Sequence, residues 1–159
     1  MNINQLLQKP LLSISSGKKY VITNNIVVDK KITKITYLTA KEDNKIFYLN
    51  TKRILSTGKN AITIHSDNIL IPENNFELKT NEFIINTKSE IYTYLGDFVA
   101  SLNNITTDKF NIVSLSLINK EKEVTKILSA GENIIIVDDT EKTYHKPRTD
   151  LKNIPVKIC

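Results

Sequence analysis

One stretch of the chain occurs twice. Ile54-Leu55-Ser56-Thr57-Gly58-Lys59-Asn60-Ala61-Ile62-Thr63-Ile64 is matched by Ile127-Leu128-Ser129-Ala130-Gly131-Glu132-Asn133-Ile134-Ile135-Ile136-Val137 at a spacing of 73, and six of the 11 positions are identical. A repeat of this kind limits the fold more than composition does, because both copies must adopt one local structure. The common pattern reads as a turn, a glycine at a position expected to need positive φ, and then a strand. Gly58 and Gly131 are therefore expected to be structural turn residues. Upstream, Lys34-Ile35-Thr36-Tyr37-Leu38-Thr39-Ala40 resembles Asn111-Ile112-Val113-Ser114-Leu115-Ser116-Leu117 at a spacing of 77. The first copy then spends four extra residues on a hairpin around 41–49. The second is expected to recover them in a loop over 103–111.

Residue types within the repeats favour strands. Ile, Val and Thr number 24, 8 and 16, against only 4 Ala. Branching at Cβ suits a pleated surface, whereas a helical chain normally recruits more alanine. Ala61–Ile64, Ile35–Ala40 and Val113–Ile118 largely alternate apolar with small or polar residues, as half-buried strands do. Ile134–Val137 is a continuous apolar run, expected to be a strand buried on both faces. Helix signals are few: Asn4 could cap a turn through 5–8, which Pro10 stops. Pro72, Glu73, Asn74 and Asn75 mark a boundary. The expected organisation is a first unit over 1–72, a linker over 73–81, a second unit over 82–140 and a tail over 141–159. Each unit is near the size at which a single core is only marginally sufficient.

Leu6-Leu7-Gln8-Lys9-Pro10-Leu11-Leu12-Ser13-Ile14-Ser15-Ser16-Gly17-Lys18-Lys19 resembles the opening of a PRC-barrel domain. Tyr48-Leu49-Asn50 leading into Ile54–Ile64 is similar to that family's closing segment. Tyr94-Leu95-Gly96-Asp97-Phe98-Val99 resembles its Leu-Gly-x-Val element. The resemblance covers roughly 3–66 and 82–139. It implies an all-β fold of two small PRC-barrel-like β-barrels in tandem, with few short helical turns. It also implies adaptor, assembly or RNA-processing work, since one family of ribosome maturation factors carries such a barrel. The family has no shared active site to carry over.

The residues point to no catalytic centre, metal site or cofactor. His65 follows a strand, and its counterpart in the second copy is Asp138. His145 and Cys159 lie in the tail, and two histidines with one cysteine make a poor transition-metal set. Glu42-Asp43, Glu121 with Glu123, and Asp138-Asp139 with Glu141 fall at turns and strand ends, where acids are common. The glycines are isolated, so nothing resembles a phosphate-cradling loop. A hydrolase would need a pocket joining His65 to acids of the other copy.

Charge is uneven. The net charge of +5 divides into +7 over 1–72, −5 over 73–140 and +3 over 141–159. Opposite fields let the units complement one another, or let copies stack as a homodimer. Lys18, Lys19, Lys30, Lys31, Lys34, Lys52 and Arg53 form an expected basic face for a protein or anionic partner. Only 2 of the 22 basic residues are Arg, so bidentate phosphate forks are scarce and any RNA or ribosome association is expected to be weak and salt-sensitive. No apolar run approaches the roughly 20 residues of a membrane span, and 1–16 lacks the order of a signal peptide. The expected role is a cytoplasmic, non-catalytic adaptor or scaffold that binds other proteins. The alternative is a ribosome- or RNA-associated maturation factor that uses the basic face.

Overall fold

A computed structural model describes residues 1–121, 127–131 and 133–138, together with the backbone of 152–154. The chain is mostly β, with one short helix. Helix α1 (Ile3–Leu7) precedes β1 (Pro10–Ser13), β2 (Lys19–Asp29), β3 (Ile35–Glu42) and β4 (Lys45–Asn50). Next come β5 (Ser56–Thr57), β6 (Ile62–Ile64), β7 (Ile71–Pro72) and β8 (Glu82–Asn86), with 3-10 turns at Thr51–Arg53, Asp67–Ile69 and Glu73–Asn75. The remaining strands are β9 (Glu90–Thr93), β10 (Phe98–Asp108), β11 (Asn111–Ile118), β12 (Ile127–Gly131), β13 (Ile134–Val137) and β14 (Lys152–Ile154). Among the described residues no helix is long and apolar enough to cross a membrane.

The strands form two sheets whose orders correspond. One runs β5-β6-β1-β2-β3-β4-β7, with β8 also on β2, and the other runs β12-β13-β9-β10-β11-β14. Strand directions agree as well. β1 pairs parallel with β6, and β9 parallel with β13, while the four other shared neighbour relations are antiparallel in each sheet. The recurrent segment occupies the same place twice: Ser56 faces Thr63 and Ser129 faces Ile136, at the 73-residue spacing. A tight hairpin through Asp43 supplies β4 beside β3. The matching position beside β11 is filled by β14, far along the chain.

The sheets are joined by reciprocal exchanges. β8, at the start of the expected second unit, adds to the far half of β2 from Asn25↔Asn86 to Asp29↔Glu82. In return, Asn2 bridges Thr106 on the far half of β10, and the Met1 carbonyl accepts from Thr107 N at 2.8 Å. Lys34 bridges Asn111, the pair that matches at the 77-residue spacing. The flanking bonds, Ile35 N to Phe110 O and Ile112 N to Thr33 O, are each 2.8 Å. Pairing of corresponding residues in antiparallel register is the geometry of a local two-fold contact. A single apolar cluster runs through both sheets, with Ile26, Leu38 and Leu49 from one, Ile105, Leu115 and Ile135 from the other, and Ile3 and Leu6 of α1. Residues this well packed typically cost roughly 2–5 kcal/mol when cut back to alanine.

Several sequence expectations need correction. Helix α1 is capped by Asn2, whose side chain accepts from Asn4 N at 2.9 Å, and not by Asn4. Residues 103–108 continue β10 rather than looping, and the reversal is confined to Lys109 and Phe110, both at positive φ. Ile134–Val137 is buried on alternate residues only. The expected positive φ at Gly58 and Gly131 is absent; the left-handed glycines are Gly17 (+72°) and Gly96 (+93°), in the β1–β2 and β9–β10 turns. Gly58 instead answers a close approach, since a Cβ there would sit 3.2 Å from the Ala61 carbonyl oxygen. Gly131 ends β12 with open space around it, and Asn133 takes the left-handed conformation in that turn. The tail over 141–159, with His145 and Cys159, lies outside the described residues apart from the backbone of β14.

Candidate functional site

The expected basic face is divided by the fold. Lys18 and Lys19 stand at the start of β2, and Lys30 and Lys31 follow its end. At about 3.3 Å per residue these ends are on the order of 30 Å apart. Lys18 is also engaged, with its Nζ 3.7 Å from a Glu42 carboxylate oxygen. The other cations gather at the far end. Asn50, the last residue of β4, pairs with Tyr37 near the start of β3, so the 3-10 turn carrying Lys52 and Arg53 lies beside Lys34.

Local chemistry builds this end. The Asp29 carboxylate closes the β2–β3 turn by accepting from Thr33 N at 2.6 Å, from Lys34 N at 3.0 Å and from the Thr33 hydroxyl. The turn holds Ile32 at φ +53°, a conformation costly for a β-branched side chain, with the residue 3% exposed in the core. Asn50 Oδ1 accepts from Lys52 N at 2.9 Å and starts the 3-10 turn, while Thr51 Oγ1 donates to Ile35 O at 2.9 Å. The segment leading to β8 closes the third side. Lys30 N donates to Asn81 O at 2.6 Å, and Lys79 N donates to buried Glu82 at 3.3 Å. Phe76 anchors the same segment, stacked on Tyr48 at 3.8 Å and edge-on to Tyr37 at 4.9 Å. Between these elements lies a cleft of about 160 Å³, whose lining includes Lys34, Lys52 and Lys79 together with Ile35, Thr36 and Tyr37. Lys79 was absent from the sequence-derived set, because nothing local marks residue 79 as a neighbour of Lys34.

A second cluster also escaped the sequence. Ser66 Oγ accepts from Asn68 N and starts the 3-10 turn that presents Asp67. One Asp67 oxygen accepts from Ser16 Oγ at 2.7 Å and from the Ser13 hydroxyl, and the other accepts from Tyr20 Oη at 2.5 Å. The Ser13, Tyr20 and Ser16 hydroxyls hold the Asp67 carboxyl well below the usual carboxylate range. Burial, and then the bond to Asp67, push the Tyr20 hydroxyl above its usual range. These donors are more than 45 residues from Asp67 in sequence, so no spacing rule could find them. Their work is to tie the β1–β2 hairpin to the end of β6, which is a structural task.

His65 is exposed just after β6, and Asp138 is exposed at the corresponding place after β13. The His65 main chain is used, its carbonyl accepting from Ser15 N at 3.0 Å. Glu42 and Asp43 lie at the β3–β4 turn and Glu121 follows β11, while Glu123, Asp139 and Glu141 fall outside the described residues. Among the described residues no three His, Cys, Asp or Glu side chains meet where they would hold a metal ion. Compared with known proteins, the chain matches no family model and no curated protein.

Proposed function

We propose that this chain is a non-catalytic adaptor or scaffold, built from two PRC-barrel-like units in tandem, that holds other proteins. The observation that carries this reading is a pair of exposed apolar side chains repeated at corresponding places. Ile14 follows β1, its N–H donates to Ile64 O at 2.9 Å, and it is 59% exposed; Tyr94 follows β9, donates to Val137 O at 3.1 Å, and is 57% exposed. Leu55, whose N–H donates to Thr63 O, is 45% exposed, and Leu128, at the matching place beside β13, is 42% exposed. Single exposed apolar residues are ordinary on any surface. The same pair flanking the same strand end in both sheets supports two like contact points for a partner. Two weak contacts on one body reinforce each other by raising effective concentration. The seven cations of the basic face stand at two ends of β2, which favours the protein reading over one continuous RNA track.

The test is an affinity pull-down from the native cell with wild-type protein and the double variant Leu55→Asp, Leu128→Asp. The reading expects specific proteins to be retained by the wild type and lost from the double variant, with the thermal midpoint of the two proteins unchanged. Identical co-purifying sets would refute it. Recovery of RNA as the main salt-labile companion would favour the maturation-factor alternative.

A further inference from the structure

We infer that the cleft between the β2–β3 turn, the Thr51–Arg53 turn and the 79–82 segment is a binding site for a terminal phosphate group, the dianionic end of a phosphate monoester. The site is independent of the protein-binding reading above. Its charge is the first argument. Lys34, Lys52 and Lys79, all exposed, line it from three separate elements, and Lys30, Lys31 and Arg53 stand on the same turns. The lining itself holds three cations against two carboxylates, Asp29 and Glu82, and both carboxylates already accept main-chain N–H groups. Among the described residues none of the three lining ammoniums has a carboxylate within 4.0 Å; the ion pair present joins Lys18 and Glu42. An excess of cations around a cleft focuses potential and favours an anion there.

The donors and the size narrow the class. The Thr36 and Thr51 hydroxyls are spent on the Val27, Ile35 and Thr36 carbonyls. The side-chain donors left at the cleft are the ammoniums, the Tyr37 hydroxyl and the NH2 groups of Asn81 and Asn50, the last of which spends its own oxygen on Lys52 N. No Arg lines the cleft, so an anion there is held by lysine point charges without a planar fork, as lysines hold phosphate in other sites. A volume of about 160 Å³ falls below the roughly 300–1,000 Å³ that encloses a drug-sized ligand. It receives a head group and leaves the rest of the molecule in solvent. Walls on three sides admit a chain end more readily than a continuous phosphodiester strand. The strained turn at Ile32 fits this placement, because backbone held in a costly conformation clusters at ligand sites.

The experiment is an amide NMR titration of the full chain with glycerol phosphate, and separately with an oligonucleotide lacking terminal phosphates. Glycerol phosphate is expected to shift residues 29–37, 50–53 and 79–82 saturably. Lys52→Gln and Lys79→Gln, both at exposed positions, are each expected to weaken binding by about fivefold or more, and Lys18→Gln to leave it unchanged. The second ionisation of a monoester lies near pH 6, so affinity is expected to rise between pH 5 and 7.5. No saturable shift, or shifts indifferent to Lys52→Gln and Lys79→Gln, overturns the site. Tighter binding of the oligonucleotide at the same residues, or affinity flat with pH, overturns the monoester assignment.

Discussion

Replacing Asp67 by Asn removes a negative charge while keeping the shape of the side chain, so it isolates what the carboxylate does. In the native protein the two oxygens take the hydroxyls of Ser13, Ser16 and Tyr20, and Ser13 and Tyr20 are almost wholly buried. Hydrogen bonds to a charged acceptor are each worth about 1.5–3 kcal/mol net. Asn keeps one carbonyl oxygen for the serines but turns an NH2 towards the Tyr20 hydroxyl. Asp67 is itself partly exposed, so water softens the loss, and the expected cost is roughly 2–3 kcal/mol. For a chain of this size that is a fall in Tm of about 5–10 °C.

The pH dependence gives the sharper test. Donation from Ser13, Tyr20 and Ser16 lowers the native carboxyl below its ordinary value of 3.8, so on acidification the unfolded chain takes up this proton first. The stabilisation is therefore present above pH 4 and drains away as pH falls through and below that value. Melts of wild type and Asp67→Asn followed by circular dichroism from pH 7 to pH 3 should show a gap that is widest near neutrality and narrows in acid. A gap below about 1 °C at pH 7, or one that does not narrow, would refute the reasoning.

Other perturbations are equally direct. The Thr87 hydroxyl is buried with no hydrogen-bond partner, so Thr87→Val is expected to raise stability by about 1 kcal/mol in a denaturant melt. Gly96→Ala should cost about 1 kcal/mol because it forces a left-handed alanine, while Gly131→Ala, with ordinary φ and open space, should change stability by less than about 0.5 kcal/mol. Phe76→Ala should lower stability by roughly 1–2 kcal/mol by removing the ring that stacks on Tyr48 and meets Tyr37. It should also loosen the 79–82 wall of the cleft, read as faster amide exchange at Glu82.

Where contacts are local or repeated, the sequence carried them plainly. The alternation in Ile35–Ala40 and Val113–Ile118 marked β3 and β11, and the 73-residue match put β5–β6 and β12–β13 at equivalent places. Distant contacts left no such trace. Lys79 reaches the cleft only because β8 crosses to β2, and β14 stands in for a hairpin strand after a long excursion of the chain. Asp67 meets Ser13 through tertiary pairing of β1 with β6. The left-handed conformation was misplaced on Gly58 and Gly131 because a glycine in a turn signals either a positive φ or a close approach. Gly58 turned out to need the second.

Two corresponding sheets, locked at matched positions, are the basis of every reading above. Inter-strand NOEs on labelled protein test that arrangement most directly. The account predicts parallel contacts between Leu11 and Ile62 and between Ile91 and Ile135, together with an antiparallel contact between Lys34 and Asn111. Different strand neighbours in the second sheet, or no contact across Lys34 and Asn111, would contradict it.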